Sequence, residues 1–244
     1  MPIRAVADGI FADVGSGAPT VLALHGWGRN RPDWDGVLDP DDRVAVDLPG
    51  FGASPPPPAA WGAHEYAAAL APVLEVFDAP PVVVGHSFGG RVAVCLAASG
   101  AEVAGLVLAG VPLIRRTGSG GRSPAGYRAI RWAHGRGLVD DERLEAAKRR
   151  YGSADYRAAA GVMRDVLVRV VNESYERELA GIAVPTRLVW GADDTAAPLA
   201  AAEEALGILR SSGVDADLTV VADVGHDVHR ARPEAVAAAV EALR

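Results

Sequence analysis

The sequence predicts an α/β protein whose sheet is mostly parallel, flanked by helices and interrupted by one all-helical insertion. Short apolar runs alternate with segments of helical periodicity, and each connection is long enough to return the chain for a parallel pairing. The alternation stops after the strand Val103–Ala109 and resumes at Thr186, with helical patterns alone in between. The length of 244 residues suits one large domain that carries such an insertion. We therefore assign residues 1–111 and 184–244 to a core and residues 112–183 to a helical lid.

The N-terminal part of the core begins with a hairpin or two edge strands over residues 5–14, because the Asp-Gly pair ending at Gly9 signals a turn. Thr20–Leu24 is a continuous apolar run, which is typical of a strand covered on both faces. A short helix over Trp34–Leu38 and a strand over Arg43–Asp47 follow.

The remaining elements repeat this alternation in chain order. We predict further core strands over 82–84, 103–109, 186–190 and 217–221, core helices over 62–77, 91–98, 198–210 and 233–243, and insertion helices over 126–134, 140–150 and 154–180.

The composition narrows the class of protein before any motif is considered. The formal net charge of −7 argues against nucleic-acid binding. The single cysteine, Cys95, excludes an internal disulfide and favours a reducing compartment. The N-terminus shows no apolar signal segment, and no apolar run approaches the length of a membrane span. We therefore predict a cytoplasmic protein with no membrane span and no nucleic-acid partner.

The stretch from Gly85 to Gly89 reads Gly-His-Ser-Phe-Gly and joins a β-branched strand to an apolar helix. A serine at such a corner, here Ser87, has its hydroxyl pushed out over the end of the sheet. The helix N-terminus directs amide donors and a positive dipole end to the same place. This setting predicts a nucleophile, and the alternative is a glycine-rich turn without chemistry.

A nucleophilic serine needs a histidine as base, and the position of His226 fits that role best. His226 follows the last strand in a turn that can bring its side chain onto Ser87. His86 adjoins Ser87, but its side chain must point away from it. For His229 we expect a solvent-exposed or capping role. A metal site built on His226 and His229 has no evident third ligand, so we predict no metal.

The acid that orients the base is expected in the pair Asp193-Asp194, which follows the strand ending at Trp190. The resulting chain order is serine, aspartate, histidine. The alternative for the aspartate pair is a capped, solvated loop.

Together these strand-end motifs resemble the α/β-hydrolase superfamily, in its lidded, carboxylesterase-like serine esterase branch, over nearly all of the chain. The matching residues are His25-Gly26-Trp27-Gly28, Asp47 to Ser54, Gly85 to Gly90, Gly191 to Pro198, and Gly225-His226 followed by Arg232-Pro233-Glu234.

The resemblance also assigns roles to individual residues. It implies a mostly parallel sheet of the α/β-hydrolase type and favours Asp194 over Asp193 as the acid. It implies that the backbone N–H groups of Trp27 and Phe88 form an oxyanion hole, and that no metal or organic cofactor is needed. The His-Gly-Trp-Gly motif at His25 is similar to carboxylesterases that act on methyl esters, including carrier-bound ones.

The predicted function is hydrolysis of a small-molecule carboxylic ester through an acyl-enzyme on Ser87. One alternative is a carbon–carbon bond hydrolase or a lyase that uses the same three residues. Another is a ligand-sensing or partner-binding protein with slow turnover, which turnover measurements would distinguish from an esterase.

The insertion supplies the remaining candidate residues. Its apolar side chains Trp132, Met163 and Leu167 either form the core of the lid or contact substrate. Residues 112–183 contain 13 Arg and 1 Lys against 9 Asp and Glu, a formal charge of +5 on an otherwise acidic chain. The arginines near its start either are solvated and paired within the lid, or attract an anionic substrate or an acidic carrier protein. They are Arg115, Arg116, Arg122, Arg128 and Arg131.

Overall fold

A computed structural model describes residues 3–115, 125–151 and 153–244, with the side chains of 148 and 149 left aside. Its eight strands form one sheet in the order β1-β2-β4-β3-β5-β6-β7-β8. The strands are β1 (Ile3–Ala7), β2 (Ile10–Val14), β3 (Val21–Leu24), β4 (Arg43–Asp47), β5 (Val82–His86), β6 (Gly105–Ala109), β7 (Thr186–Gly191) and β8 (Ala216–Val221). β1 pairs antiparallel with β2, and β2 pairs antiparallel with β4. The remaining neighbours in the sheet pair parallel, which confirms the predicted fold class.

Helices cover both faces of this sheet. They are α1 (Ala63–Leu70), α2 (Phe88–Ala98), α3 (Ala125–His134), α4 (Asp141–Tyr151), α5 (Ala154–Ala158), α6 (Val162–Val170), α7 (Glu176–Gly181), α8 (Leu199–Ser211), α9 (Val228–Ala231) and α10 (Pro233–Glu241). None of these helices, within the described residues, is both long enough and apolar enough to cross a membrane.

Alternate residues of the central strands belong to two separate hydrophobic clusters. Leu22 and Leu24 of β3 pack in the larger cluster with α1, α2, α7 and α8, whereas Val21 and Ala23 pack in the smaller one with α10. Successive side chains of a strand point to opposite faces, so both faces of β3 are buried. This is why its sequence reads as a continuous apolar run.

Two predicted helices differ from the observed ones, and each observed helix has a proline near its start or at its change of type. The helix predicted over 62–77 ends as an α-helix at Leu70 and continues as a 3-10 helix, since Pro72 lacks the N–H that an α-helix needs. The helix predicted over 34–38 is instead a 3-10 helix, Arg31–Trp34, with Pro32 in its first turn.

In the described part of the segment between β6 and β7, the single helix predicted over 154–180 is three helices, α5, α6 and α7. Gly161, with φ of 53°, separates α5 from α6, and a turn at 171–175 separates α6 from α7. Val166, Val170 and Leu179 belong to the larger core cluster. By contrast, α3 contains no buried residue. The second half of this segment is therefore packed on the core, while α3 lies at the surface.

Candidate active site

Ser87 lies at the corner between β5 and α2, where the sequence placed it. Its backbone has φ of 49° and ψ of −110°, a conformation that a non-glycine residue rarely adopts. The Ser87 N–H donates to the carbonyl of Ala109 at 3.1 Å, and the Gly89 N–H donates to that of His25 at the same distance. These hydrogen bonds to residues at the ends of neighbouring strands hold the strained turn in place. Strained backbone of this kind is common at functional sites.

The structure brings Ser87, His226 and Asp194 into one hydrogen-bonded array. Nε2 of His226 lies 2.9 Å from Oγ of Ser87, and Nδ1 lies 2.9 Å from Oδ2 of Asp194. Because a carboxylate only accepts, Nδ1 carries the proton and Nε2 is left to accept from the serine. Oδ1 of Asp194 accepts the N–H groups of Ala196 and Ala197. The Asp194 side chain is fully buried, whereas Asp193 is exposed.

Trp27 and Phe88, whose backbone amides the sequence resemblance assigns to an oxyanion hole, line the same cavity as Ser87. Phe88 is the first residue of α2, so its N–H is one of the donors that a helix leaves without an internal partner. Among the described residues, neither amide donates to another group. The Trp27 ring packs edge-on against Phe51 and Phe88, with ring centroids 5.0 and 5.4 Å apart. These contacts hold the Trp27 turn beside the elbow, which is the turn at Ser87 between β5 and α2.

A cavity of about 400 Å³ opens in front of Ser87 and His226. Its walls come from the elbow, from the segment after β6 and from α6, with Trp27, Phe88, Ile114, Leu167, Val170 and Pro198 as its main apolar and ring residues. Arg91, Arg115, Asp155 and Glu173 also line it. The cavity therefore combines an apolar body with charged groups on its wall.

Of the three insertion residues for which core packing and substrate contact were the alternatives, Leu167 lines this cavity and the other two do not. Trp132 lines a separate surface depression together with Arg128 and Arg131, and 57% of its surface is exposed. Met163 packs beside the backbone of Gly50 at the edge of the core. For Trp132 and Met163 the alternative of substrate contact is therefore not supported, and Met163 instead fits the alternative of packing in the core.

The five arginines near the start of the insertion do not form one group at the entrance. Arg115 lines the cavity, while Arg128 and Arg131 lie at the depression on α3. Arg116 and Arg122 lie outside the described residues.

The expected exposed or capping role of His229 is wrong. His229 is fully buried, and its Nε2 lies 3.0 Å from Oδ2 of Asp33. Its ring stacks on His86, with centroids 3.9 Å apart. Sequence reasoning missed this contact because Asp33 precedes His229 by 196 positions. Asp33 follows β3 and His229 follows β8, so the two residues meet only once the whole sheet has formed.

Arg91 is the second residue that sequence reasoning missed. It lies one helical turn after Ser87 and is 9% exposed. Its Nε and Nη1 donate to the carbonyls of Pro112 and Val170, and no described carboxylate lies within ion-pair distance. Burial lowers the pKa of this guanidinium, while Tyr175 and Glu173 act in the opposite direction. The spacing of four from Ser87 was the available signal.

Comparisons with known proteins agree with this geometry. A family model described as the alpha/beta hydrolase family matches residues 21–239. The 2-hydroxy-6-oxononadienedioate/2-hydroxy-6-oxononatrienedioate hydrolase of Cupriavidus pinatubonensis is 30% identical over 223 residues, covering 77% of this chain and 74% of that protein. A thermophilic esterase from Thermogutta terrifontis superposes with a TM-score of 0.65 at 22% identity, covering 96% of this chain and 92% of that one.

Shorter matches also exist. An esterase of Mycobacterium tuberculosis is 40% identical over 107 residues, which is 40% of this chain and 34% of that protein. The matches to the first curated relatives span about a third of those proteins' length. Because the family model matches most of this chain, the protein belongs to the alpha/beta hydrolase family.

Proposed function

We propose that this protein is a serine hydrolase that cleaves a carboxylic ester through an acyl-enzyme on Ser87. The observation that carries the proposal is the continuous array in which His226 lies 2.9 Å from both Ser87 Oγ and Asp194 Oδ2. A hydroxyl is a weak nucleophile at neutral pH, and this array supplies the base and the group that orients it.

The chemistry follows from the proton positions. Oγ of Ser87 attacks the ester carbonyl carbon while Nε2 of His226 takes the hydroxyl proton. His226 then gives that proton to the departing alcohol oxygen, and the acyl group remains on Ser87. A water molecule attacks the acyl-enzyme, His226 takes its proton, and Ser87 recovers the proton as the acid leaves. Asp194 keeps Nδ1 protonated and stabilises the transient imidazolium.

The amides of Trp27 and Phe88 are proposed to stabilise the oxyanion that forms on the carbonyl oxygen. Trp27 and Phe88 line the same cavity as Ser87, and neither amide has an acceptor among the described residues. Removal of one such donor typically costs roughly 2.7–4 kcal/mol of transition-state stabilisation.

We further propose that the substrate carries a negative charge away from the ester, either on a small molecule or on an acidic carrier protein. Arg91 and Arg115 line the cavity together with Asp155 and Glu173, and among the described residues none of these carboxylates lies within ion-pair distance of Arg91. A bound carboxylate would supply an ion-pair partner, and charge-assisted hydrogen bonds of this type are strong in a partly buried site. The name of the Cupriavidus pinatubonensis relative specifies a dioate, which has the same chemistry.

The same observation favours a second candidate function. A carbon–carbon bond hydrolase would use the same three residues on a dioate, with Arg91 holding the distal carboxylate. We prefer ester hydrolysis because the array of Ser87, His226 and Asp194 is sufficient for the ester cleavage described above, with no additional catalytic step.

Hydrolysis of activated esters of increasing acyl length, by the protein and by its Ser87→Ala variant, tests the proposal. We expect repeated turnover on at least one ester, a loss of about four to six orders of magnitude in the variant, and stoichiometric fluorophosphonate labelling of Ser87 only. Undiminished hydrolysis or labelling in Ser87→Ala would refute it. A single burst without turnover would favour a ligand-sensing protein instead.

The cellular location is a separate proposal. The chain has one cysteine, Cys95, which is buried. A protein without disulfides suits a reducing compartment, so we propose that it is cytoplasmic.

A further inference from the structure

Three buried polar side chains meet behind the catalytic histidine, and the proposed chemistry uses none of them. His86 is the last residue of β5, Asp33 lies in the 3-10 helix after β3, and His229 lies in α9. Their exposed fractions are 1%, 8% and 0%. Burying polar groups costs free energy unless they are hydrogen-bonded, so the hydrogen-bond partners of these three side chains indicate why they are buried.

His86 holds the main chain of His226. Its Nε2 lies 3.1 Å from the carbonyl oxygen of His226, and since a carbonyl only accepts, Nε2 is the donor. Burial, followed by the nearby His229 and His226, holds the pKa of His86 well below its usual value, so the ring is neutral. Nδ1 faces Gly26, where an added Cβ would lie 2.7 Å away. The ring therefore has one fixed orientation and one fixed tautomer.

Asp33 holds the other side of the same turn with both of its oxygens. Oδ2 accepts from Nε2 of His229 at 3.0 Å, and Oδ1 pairs with Arg29 at 3.0 Å. A second nitrogen of Arg29 binds Asp227 at 2.6 Å, directly after His226. Burial alone would raise the pKa of Asp33, but the hydrogen bond from His229 and the neighbouring charges keep it lowered, so the carboxylate stays ionised.

The same three residues do not suit a metal ion, although one donor atom from each lies within 4.8 Å of the others. The His86 and His229 rings are stacked, with centroids 3.9 Å apart and planes 29° from parallel. Nitrogen lone pairs lie in the ring plane, so two stacked rings direct them side by side. Both Nε2 atoms already donate hydrogen bonds. The arrangement therefore suits a hydrogen-bonded scaffold.

We infer that Asp33, His86 and His229 are positioning residues for His226, an inference that rests on the proposed role of His226 as the base. Asp194 fixes the imidazole, and this cluster fixes the backbone from which the imidazole extends. Through Arg29, the cluster also connects the turn that carries His226 to the turn that carries Trp27. A displacement of about 1 Å at a reacting group can cost about 100-fold in rate.

The test compares His229→Phe, which keeps a ring against His86 but cannot donate to Asp33, with His229→Gln, whose amide can still donate. We expect kcat of His229→Phe to fall about 10- to 100-fold with KM within about twofold of the parent. His229→Gln should recover at least half of the loss on a logarithmic scale. The low-field proton resonance of Nδ1 between His226 and Asp194 should shift or broaden in His229→Phe and return in His229→Gln.

Arg29→Gln keeps the inference testable if His229→Phe does not fold, because the Arg29–Asp227 pair is partly exposed. We expect a fall of about three- to tenfold in kcat with unchanged KM. Arg232→Gln is the matched control, since Arg232 is exposed and its side chain donates, within the described part of the chain, to the neighbouring carbonyl of Ala231. Parental kcat and an unmoved proton resonance in folded His229→Phe, or in Arg29→Gln where the first does not fold, would overturn the inference. The resonance requires no substrate, so it decides the inference even if ester hydrolysis is absent.

Discussion

The strand-end turns and the surface helix α3 are built on opposite principles. In the turns, side chains such as Asp194 and His229 are buried, and their hydrogen bonds go to residues far away in sequence. In α3 no residue is buried, and Trp132 is largely exposed. The comparison teaches that the chemical groups sit on a rigid edge of the sheet. We propose that discrimination between substrates depends on those residues of the segment between β6 and β7 that line the cavity.

The two aspartates after β7 provide the strongest way to break this comparison. Asp194→Asn should lower kcat about 10⁴-fold, because an amide in place of the carboxylate favours the wrong imidazole tautomer. Asp193→Asn is the matched control, since Asp193 is exposed and should cost less than about twofold. Steady-state kinetics on one activated ester measures both, and a larger loss in Asp193→Asn would reassign the acid.

The buried histidines of the turns should also make folding depend on pH. Burial lowers the pKa of His25 below 6.5, and burial with His229 and His226 lowers that of His86 well below it. The unfolded chain therefore takes up protons that the folded chain does not. The stability that these groups provide is complete well above pH 6.5 and is lost as the pH falls, with a slope of at most about 1.4 kcal/mol per pH unit for each histidine between its unfolded and its folded pKa.

Urea unfolding at several pH values between about 7.5 and 5.5 measures this dependence. His86→Gln removes one of the two bases while leaving a donor for the His226 carbonyl. Averaged over this range, its slope should be smaller than the parental slope by about 0.7 kcal/mol per pH unit, since the full difference of about 1.4 kcal/mol per pH unit is reached only below about pH 5.5. An identical slope in His86→Gln would show that His86 does not contribute.

The cavity wall and the surface of α3 should respond differently to truncation. Leu167→Ala enlarges the cavity in front of Ser87, so the ratio of kcat/KM between long and short acyl esters should rise about tenfold. Trp132→Ala removes an even larger side chain from the other depression and should leave that ratio unchanged. A change of equal size in Trp132→Ala would bring α3 into the substrate site.

The smallest expected effect concerns the arginine on the cavity wall. Arg115→Gln should lower kcat/KM about threefold at low salt for an ester with a distal carboxylate, and should weaken its salt dependence. Arg177→Gln, an exposed change of the same charge on α7, is the control. A neutral ester should respond to neither. Equal responses of both esters to salt would remove Arg115 from substrate attraction.

The local pattern was sufficient wherever a function depends on residues that are close in sequence. The corner at Ser87 follows from its strand, glycines and helix, and the parallel sheet follows from the continuous apolar runs. Pro72 lies inside the helix that apolar spacing predicts over 62–77, and apolar spacing alone does not indicate where a proline ends an α-helix. The three helices over 154–181 were missed for the same reason, since Gly161 gave a break that periodicity does not register.

By itself, the sequence determined the fold class, the serine corner, the histidine after the last strand and the pair of aspartates, because each is marked by its position at a strand end. The tertiary structure alone decided that Asp194 is buried against His226, that Arg91 and Leu167 line the cavity while Trp132 does not, and that Asp33, His86 and His229 meet behind the base. These contacts join residues up to 196 positions apart. Burial and distance at that separation depend on how strands pair and helices pack, and no local periodicity encodes them.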